Sequence, residues 1–219
     1  MKKYDTRRIV MIGVFSALAF IMACIGNLIQ INIAGFLNYD PKDIIIVIAG
    51  FILGPISAII ISVIASLLEV ITISATGPIG FAMNIISTCF FVVPAVLIYQ
   101  KKRTFPRAII GLCVGVLSMC VAMMLWNYLI TPLYIKGATR EMVAKMLPTV
   151  FFPFNLVKGA LNAALVMLLY KPVVRALRHA RLLDKVESKG SDTKALLIVS
   201  CVMIIAVCIL GFLILAGVI

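Results

Sequence analysis

The chain consists mainly of long apolar runs, each close to or above the roughly 20 residues that an α-helix needs to cross a bilayer. These runs cover residues 9–28, 44–74, 79–99, 108–130, 148–170 and 196–219. Hydrophobic residues make up 63% of the sequence and charged residues 13%, whereas a soluble domain carries about 25% charged residues. The sequence therefore predicts an integral membrane protein and excludes a soluble or disordered one.

One run, over residues 44–74, is too long for a single span and contains Gly54-Pro55, a pair that typically marks a turn. We therefore divide it into two helices, of which the first, residues 44–53, is short. The polar stretch before this short helix is expected to dip into the protein. The predicted fold is all-α and polytopic, with seven spans. It comprises a six-helix core over residues 1–182, a basic linker over 183–195 and an additional C-terminal transmembrane helix over 196–219.

The net charge of +12 comes from 20 Lys and Arg residues against 8 Asp and Glu residues. Most of the basic residues precede residue 9 or lie within 101–107 and 171–194, which fall on one side of the predicted spans. The other side holds four, namely Lys42, Lys136, Arg140 and Lys145. Because cytoplasmic loops collect Lys and Arg, we predict a cytoplasmic N-terminus and an outer C-terminus. The basic face is expected to contact anionic lipid rather than nucleic acid.

Motifs of catalysis, nucleotide binding and metal binding are absent from the sequence. There is no GxxxxGK[ST], HExxH or GxSxG. The six cysteines lie inside apolar runs without a CxxC pair. We therefore expect no catalytic residue, no metal and no cofactor. The pattern is typical of a binding subunit that depends on other proteins for energy.

A charged side chain, Lys158, lies within the predicted sixth helix, residues 148–170. Placing a lysine near mid-span costs roughly 2.5–3.5 kcal/mol on insertion scales. Asn155 lies three residues earlier on the same helix face, and Pro153 can free backbone groups nearby. An intramembrane charge favours a ligand-binding role. The alternative is a lysine that snorkels or forms a structural pair.

Further polar side chains fall in the outer half of the predicted membrane. Glu69 is the one acidic residue inside a predicted span, and it is predicted to be a counter-ion for Lys158, a ligand contact or an interface residue. Asn84 and Asn127 lie near the outer ends of their helices, where a structural interhelical hydrogen bond is the alternative. With the polar loop 38–43, these residues predict a cavity open to the outside that accepts a small polar-aromatic solute.

Small residues recur on the first helix. Gly13 and Ala17 form a small-xxx-small pair, and Ala19 and Ala23 form another. Such pairs allow close helix–helix approach, although they are common by chance in apolar helices. We take Gly13 and Ala17 as a candidate docking surface for another membrane subunit.

Four stretches resemble the substrate-binding S components of energy-coupling factor (ECF) vitamin transporters, most closely those of the riboflavin type. The stretches are Tyr39–Asp43 with Ala49–Pro55, Gly77–Gly80 with Asn84, Trp126–Tyr128 with Pro132–Tyr134, and Pro153–Gly159. The resemblance covers about residues 5–182, and the Pro-Phe-Asn-Leu-Val-Lys-Gly stretch is its most specific part.

This resemblance implies a six-helix bundle in the bacterial cell membrane that captures riboflavin from outside as its transported ligand. It also implies a transmembrane coupling subunit and two cytoplasmic ATPases as partners. By the same resemblance, flavin contacts are assigned to Asn127, Asn155 and Lys158. The lid and pocket loop is assigned to Leu37, Asn38, Tyr39 and Asp40, and the surface that meets the coupling subunit to Gly13 and Ala17.

The sequence departs from the riboflavin type at three places. Ala65-Ser66 stands where many members have a Lys-Asn pair, Pro41-Lys42 alters the usual loop pattern, and a seventh span follows the core. One alternative is therefore FMN or another vitamin as the ligand. Another is a membrane enzyme, for which Glu69 and Lys158 are the candidate acid–base pair. A structural membrane protein is the third.

Overall fold

The computed structural model describes residues 6–29, 32–33, 37–73, 77–134 and 139–179. The predicted linker at 183–195 and the predicted seventh span at 196–219 lie outside these residues. The described part is all-α apart from a two-residue antiparallel ladder between β1 (Asn32–Ile33) and β2 (Leu37–Asn38). The all-α prediction is therefore confirmed for the described part, and the count of seven spans stays a prediction.

Seven α-helices follow one another in the described residues. They are α1 (Thr6–Ile29), α2 (Lys42–Leu53), α3 (Pro55–Thr72), α4 (Gly77–Gln100), α5 (Phe105–Tyr134), α6 (Arg140–Met146) and α7 (Phe152–His179). A π-helical turn, Leu147–Phe151, joins α6 to α7. Within the described ranges, five segments are long and apolar enough to cross a membrane: Thr6–Ile29, Pro55–Thr72, Gly77–Gln100, Phe105–Leu133 and Arg140–Leu177. The chain is a multi-pass membrane protein.

The break between α2 and α3 lies at Gly54-Pro55, as predicted. Gly54 has φ +97°, a conformation that residues with a Cβ rarely adopt. Pro55 then occupies the first position of α3, where its missing N–H and fixed φ suit a helix start. The turn therefore follows directly from the two residue types.

Helix α2 is the centre of the bundle and packs against α1, α3, α4 and α7. Its side chains from Ile46 to Phe51 are buried, and Ile46, Val47, Ile48 and Ala49 are fully inaccessible. A helix that is apolar all round is expected to be buried on all sides. Because α2 has only 12 residues, its polar N-terminus is brought inside the protein, as the sequence predicted.

The helical path extends beyond the predicted sixth helix, 148–170, at both ends. Helix α6 begins after Thr139, whose hydroxyl accepts a hydrogen bond from the backbone N–H of Met142 at 3.2 Å. The π-helical turn accommodates Pro148, so the helical path continues from Arg140. At the other end, α7 extends into the basic segment as far as His179. Pro148 and the basic residues after 170 therefore do not end the helical path.

At one end of the bundle, hydrogen bonds join the N-terminal end of α1 to the turn between α2 and α3, and aromatic residues of α2, α4 and α7 pack together. The Arg8 guanidinium donates to the Ser57 hydroxyl at 2.7 Å. The Tyr99 and Tyr170 hydroxyls are hydrogen-bonded at 2.9 Å, and Phe51 stacks on Tyr99 with ring centroids 4.2 Å apart. This end of the bundle is held by an arginine and aromatic rings, whereas acids and lysines meet at the opposite end.

Candidate ligand-binding site

Five ionisable side chains lie close together at the end of the bundle where α2 and α7 begin and α3 approaches its C-terminus. The acids are Asp40, Asp43 and Glu69, and the bases are Lys42 and Lys158. Charges inside a membrane protein are costly and are usually retained for binding or transport. This group is therefore the strongest candidate for a solute site in the described residues.

Lys42 stands at the first position of α2 and is 1% exposed. Its Nζ lies 2.6 Å from Asp40 Oδ2 and also forms an ion pair with Glu69 Oε2. The backbone N–H of Lys42 donates to Asp40 Oδ1 at 3.0 Å. The distribution of basic residues predicts that Lys42 lies in a loop on the outer side of the membrane. In the structure it is instead buried between two carboxylates.

Asp43 and Lys158 form a second, longer ion pair. Asp43 is fully buried, and its Oδ1 accepts a hydrogen bond of 2.6 Å from the Thr88 hydroxyl on α4. Lys158 Nζ lies 3.8 Å from Asp43 Oδ2, which has no hydrogen-bond partner among the described residues. The carboxylate compensates the lysine charge, and the length of the pair leaves ammonium protons free to reach a further acceptor.

Tyr39 and Asn162 connect the loop before α2 to α7. The Tyr39 hydroxyl donates to Asn162 Oδ1 at 2.6 Å, and Asn162 Nδ2 lies 3.5 Å from the backbone oxygen of Asp40. Asn162 is fully buried and lies one turn beyond Lys158, on the same face of α7. The α7 face that carries Lys158 therefore also contacts the loop.

The loop residues have shifted acid–base equilibria. Burial raises the pKa of Asp40, but attraction to Lys42 and Lys158 outweighs burial and holds it below the ordinary value. Burial raises the pKa of the Tyr39 hydroxyl, and the negative charges of Asp43 and Asp40 raise it further. Near neutral pH, Asp40 is therefore an anion and Tyr39 a neutral hydrogen-bond donor.

Asn127 on α5 and Asn155 on α7 are both buried at 3% exposure. Each amide donates to the backbone carbonyl four residues earlier, Asn127 to Met123 at 2.7 Å and Asn155 to Phe151 at 2.8 Å. Because an amide carries two N–H donors, each asparagine keeps one for another acceptor. Thr131 donates to Asn127 Oδ1 at 3.0 Å and helps to fix its orientation.

The remaining predicted site residues occupy distinct places. Glu69 forms an ion pair with Lys42, whereas the counter-ion role predicted for it was toward Lys158. Asn84 is half-buried and shares a face of α4 with Thr88, four residues on. The backbones of Leu37 and Asn38 form β2.

The candidate docking residues lie elsewhere, on the outward face of α1. Gly13 and Ala17 are exposed, and a Cβ added at Gly13 would meet no atom within 4 Å. Ala19 and Ala23 are buried inside the bundle. The two small-xxx-small pairs of this helix therefore face in different directions.

Sequence reasoning did not single out four residues of the charged group and its surroundings, which are Lys42, Asp43, Thr88 and Asn162, although the first two belong to the polar loop 38–43 of the predicted cavity. A signal for Lys42 and Asp43 was present, because both lie in the first turn of a 12-residue helix that is otherwise apolar. When such a helix is buried, the charges in its first turn are buried too. Asn162 also follows Lys158 at the spacing of one helical turn. Thr88 carries no comparable signal, since threonine is unremarkable in an apolar helix.

A bundle of apolar helices that gathers charged and amide side chains at one end defines a class, the multi-pass membrane proteins that bind a polar solute. The chain belongs to the family of substrate-specific components of ECF transporters, whose sequence model matches residues 7–170. Members of this family are transporter components rather than enzymes.

Relatives of known function agree with this family. The chain is 28% identical over 180 residues to the riboflavin transporter RibU of Staphylococcus aureus, covering 80% of this chain and 94% of the relative. It is 30% identical over 178 residues to RibU of Streptococcus thermophilus, covering 77% and 83% respectively. The riboflavin transporter FmnP of Bacillus subtilis is 26% identical over 187 residues, covering 80% of this chain and 98% of that protein.

A solved structure of the S component of a bacterial ECF transporter has a similar fold. It superposes with a TM-score of 0.65 at 28% sequence identity, covering 79% of this chain and 98% of the solved one. The fold predicted by resemblance therefore has an experimentally determined counterpart.

Proposed function

We propose that the protein captures riboflavin from outside the cell and presents it for import. The observation that carries this proposal is the position of Lys158 and Asn155, three residues apart on α7, beside a buried group of charges. The names of the three riboflavin-transporting relatives support flavin as the ligand. Binding, rather than a chemical reaction, is the function of this chain.

Three side chains are proposed to contact the isoalloxazine ring. Lys158 supplies ammonium protons that its 3.8 Å pair with Asp43 leaves free, and Asn127 and Asn155 each supply a remaining amide proton. Flavin carbonyls and ring nitrogens accept such hydrogen bonds, and the asparagine oxygens accept from a ring N–H. The apolar bundle interior suits the flat ring. Glu69 and Asn84 remain predicted ligand contacts.

The loop before α2 is proposed to cover the bound vitamin, using Leu37, Asn38, Tyr39 and Asp40. Contacts of its described side chains support this role, because Tyr39 reaches Asn162 on α7 and Asp40 reaches Lys42 on α2. A buried polar ligand atom needs a partner to avoid a loss of affinity. Loop side chains and backbone groups can provide such partners for the ribityl hydroxyls.

The proposed setting is the bacterial cell membrane, with the N-terminus in the cytoplasm and the C-terminus outside. The proposed partners are a transmembrane coupling subunit and two cytoplasmic ATPases, which would supply the energy for release. The exposed Gly13 and Ala17 face of α1 supports a docking role, since small residues permit close helix contact. The ligand would be transported cargo, with no resident cofactor.

The charges of the site favour riboflavin over FMN. Asp40, Asp43 and Glu69 outnumber Lys42 and Lys158, so the group is net negative when all five are ionised. A phosphate dianion brought to such a group would be repelled. The acid–base pair required for the enzyme alternative is also disfavoured, because Glu69 is engaged by Lys42 rather than by Lys158.

The proposed site is tested by measuring riboflavin affinity for purified variants. Lys158→Met and Asn155→Ala are each expected to weaken binding roughly tenfold or more, since a flavin acceptor loses its donor in a buried site. Lys145→Met, at an exposed lysine on α6, is the matched control. Wild-type affinity in both site variants would refute the assignment, whereas selective loss in them would support it.

A further inference from the structure

A three-residue charge cluster contains Lys42, a residue to which the resemblance assigns no role. This cluster, Asp40–Lys42–Glu69, joins the loop before α2, the start of α2 and the last turns of α3. Lys42 is 1% exposed, and the Asp40 and Glu69 side chains are 16% and 15% exposed. The lysine is therefore sealed beneath two partly exposed carboxylates, one on the loop and one on α3.

The cluster is a direct polar link between the loop and α3 within the described residues. Asp40 is held twice by Lys42, through the ammonium group and through the backbone N–H. Glu69 lies 27 positions further along the chain and reaches the same ammonium group. Other links from this part of the chain run to α7 through Tyr39 and to α4 through Asp43. Without Lys42, α3 would face the loop with an unpaired carboxylate.

The two carboxylates repel each other unless the lysine lies between them. Each is only partly screened by solvent, and like charges near one another in such a site destabilise the arrangement that brings them together. Opening the loop would separate them. The charge of Lys42 therefore favours the closed arrangement of the loop, and removal of that charge favours the open one.

We propose that Lys42 is a positioning residue that holds the loop closed over the bound ligand by bridging Asp40 to Glu69. The inference rests on the proposed function, because it assumes that riboflavin lies under the loop. It assigns Glu69 the task of anchoring the loop to α3 rather than that of touching the flavin. Loss of the bridge speeds ligand escape, because the loop then opens more readily and the ligand leaves through the opening.

The test measures riboflavin dissociation from the full-length chain, purified in detergent, by the recovery of riboflavin fluorescence after dilution. Lys42→Met and Glu69→Gln are each expected to release riboflavin roughly tenfold faster or more. The double variant is expected to raise the dissociation rate by a smaller factor than the product of the two single-variant factors, because the two side chains act through one bridge. Lys145→Met is the control.

Each outcome either supports or overturns the bridging role of Lys42. Additive effects would mean that Glu69 acts on the ligand independently of Lys42, which would overturn the bridge. Unchanged dissociation with a lowered unfolding temperature of the ligand-free protein would assign the cluster a structural role only, and would also overturn it. If Lys42→Met does not fold, Glu69→Gln alone must still release riboflavin faster, or the inference fails. Failure of the wild type to bind riboflavin would instead refute the proposed function.

Discussion

The Tyr39 hydroxyl donates a hydrogen bond of 2.6 Å to Asn162 Oδ1, joining two residues that are 123 positions apart. The bond ties the loop before α2 to the α7 face that also carries Lys158. Both partners are shielded, and Asn162 is fully buried. A single neutral hydrogen bond therefore couples the placement of the loop to the helix that supplies the proposed flavin contacts.

Removing this hydroxyl should weaken ligand binding. Tyr39→Phe keeps the ring but leaves the buried amide oxygen of Asn162 without its donor, at a cost of about 1–3 kcal/mol. If most of that cost falls on the closed, ligand-bound state, riboflavin affinity should drop roughly tenfold. Fluorescence titration of the purified variant measures the change. Tyr128→Phe, at an exposed tyrosine on α5, is the matched control and should bind as the wild type does.

The carboxylate of Asp43 should be needed to keep Lys158 inside the protein. Asp43→Asn preserves the side-chain shape but leaves the ammonium group of Lys158 without its nearby negative charge. Breaking a buried pair costs roughly 3–5 kcal/mol, and the 3.8 Å separation argues for the lower end of that range. Thermal unfolding of the ligand-free protein in detergent measures the loss.

A double-mutant cycle separates this pairing from a general effect of the substitution. Asp43→Asn combined with Lys158→Met should be less destabilised than the sum of the two single variants, because both members of the pair are then neutral. Glu141→Gln, at an exposed carboxylate on α6, should leave the unfolding temperature unchanged. Strict additivity of the two substitutions would contradict the proposed pairing.

The close contact between α4 and α5 should not tolerate a methyl group. A Cβ at Gly115 would overlap the backbone oxygen of Phe91, and one at Gly111 would lie 2.6 Å from the backbone oxygen of Ala95. Backbone atoms cannot move aside as side chains do, so Gly115→Ala should destabilise the protein by about 1–3 kcal/mol. Gly13→Ala, which meets open space, is the control and should not lower the unfolding temperature.

The outward face of α1 should matter for assembly and not for ligand capture. Ala17→Trp places a large side chain on the exposed surface that we propose meets the coupling subunit. The variant should bind riboflavin like the wild type but fail to co-purify with coexpressed coupling and ATPase subunits. Leu97→Trp, at an exposed position on α4, is the control. Normal co-purification of Ala17→Trp would exclude this face as the docking surface.

Much of the fold could be predicted because hydropathy and turn residues act locally. The apolar runs predicted the helices, and Gly54-Pro55 predicted the α2–α3 break, where φ of Gly54 is +97°. The helix containing Lys158 was harder, because Pro148 is absorbed by a π-helical turn rather than ending a helix. That outcome depends on how the turn packs, which the local sequence does not specify.

The site was predictable in its residue types but not in its pairings. Lys158 and Glu69 stood out as charges within apolar runs, and pairing them with each other was one natural hypothesis. The structure pairs Lys158 with Asp43 and Glu69 with Lys42. These choices depend on the central position of α2, which carries both Lys42 and Asp43 inwards. Such a position is a property of the whole bundle rather than of any one segment.

The central claim, that this chain alone captures riboflavin, is tested most directly by titrating riboflavin into the purified wild-type protein in detergent. The protein is used without any coupling or ATPase subunit, and quenching of riboflavin fluorescence is followed. We predict saturable quenching with a single riboflavin bound per chain and weaker competition by FMN. The absence of quenching by a folded, monodisperse sample would contradict the claim.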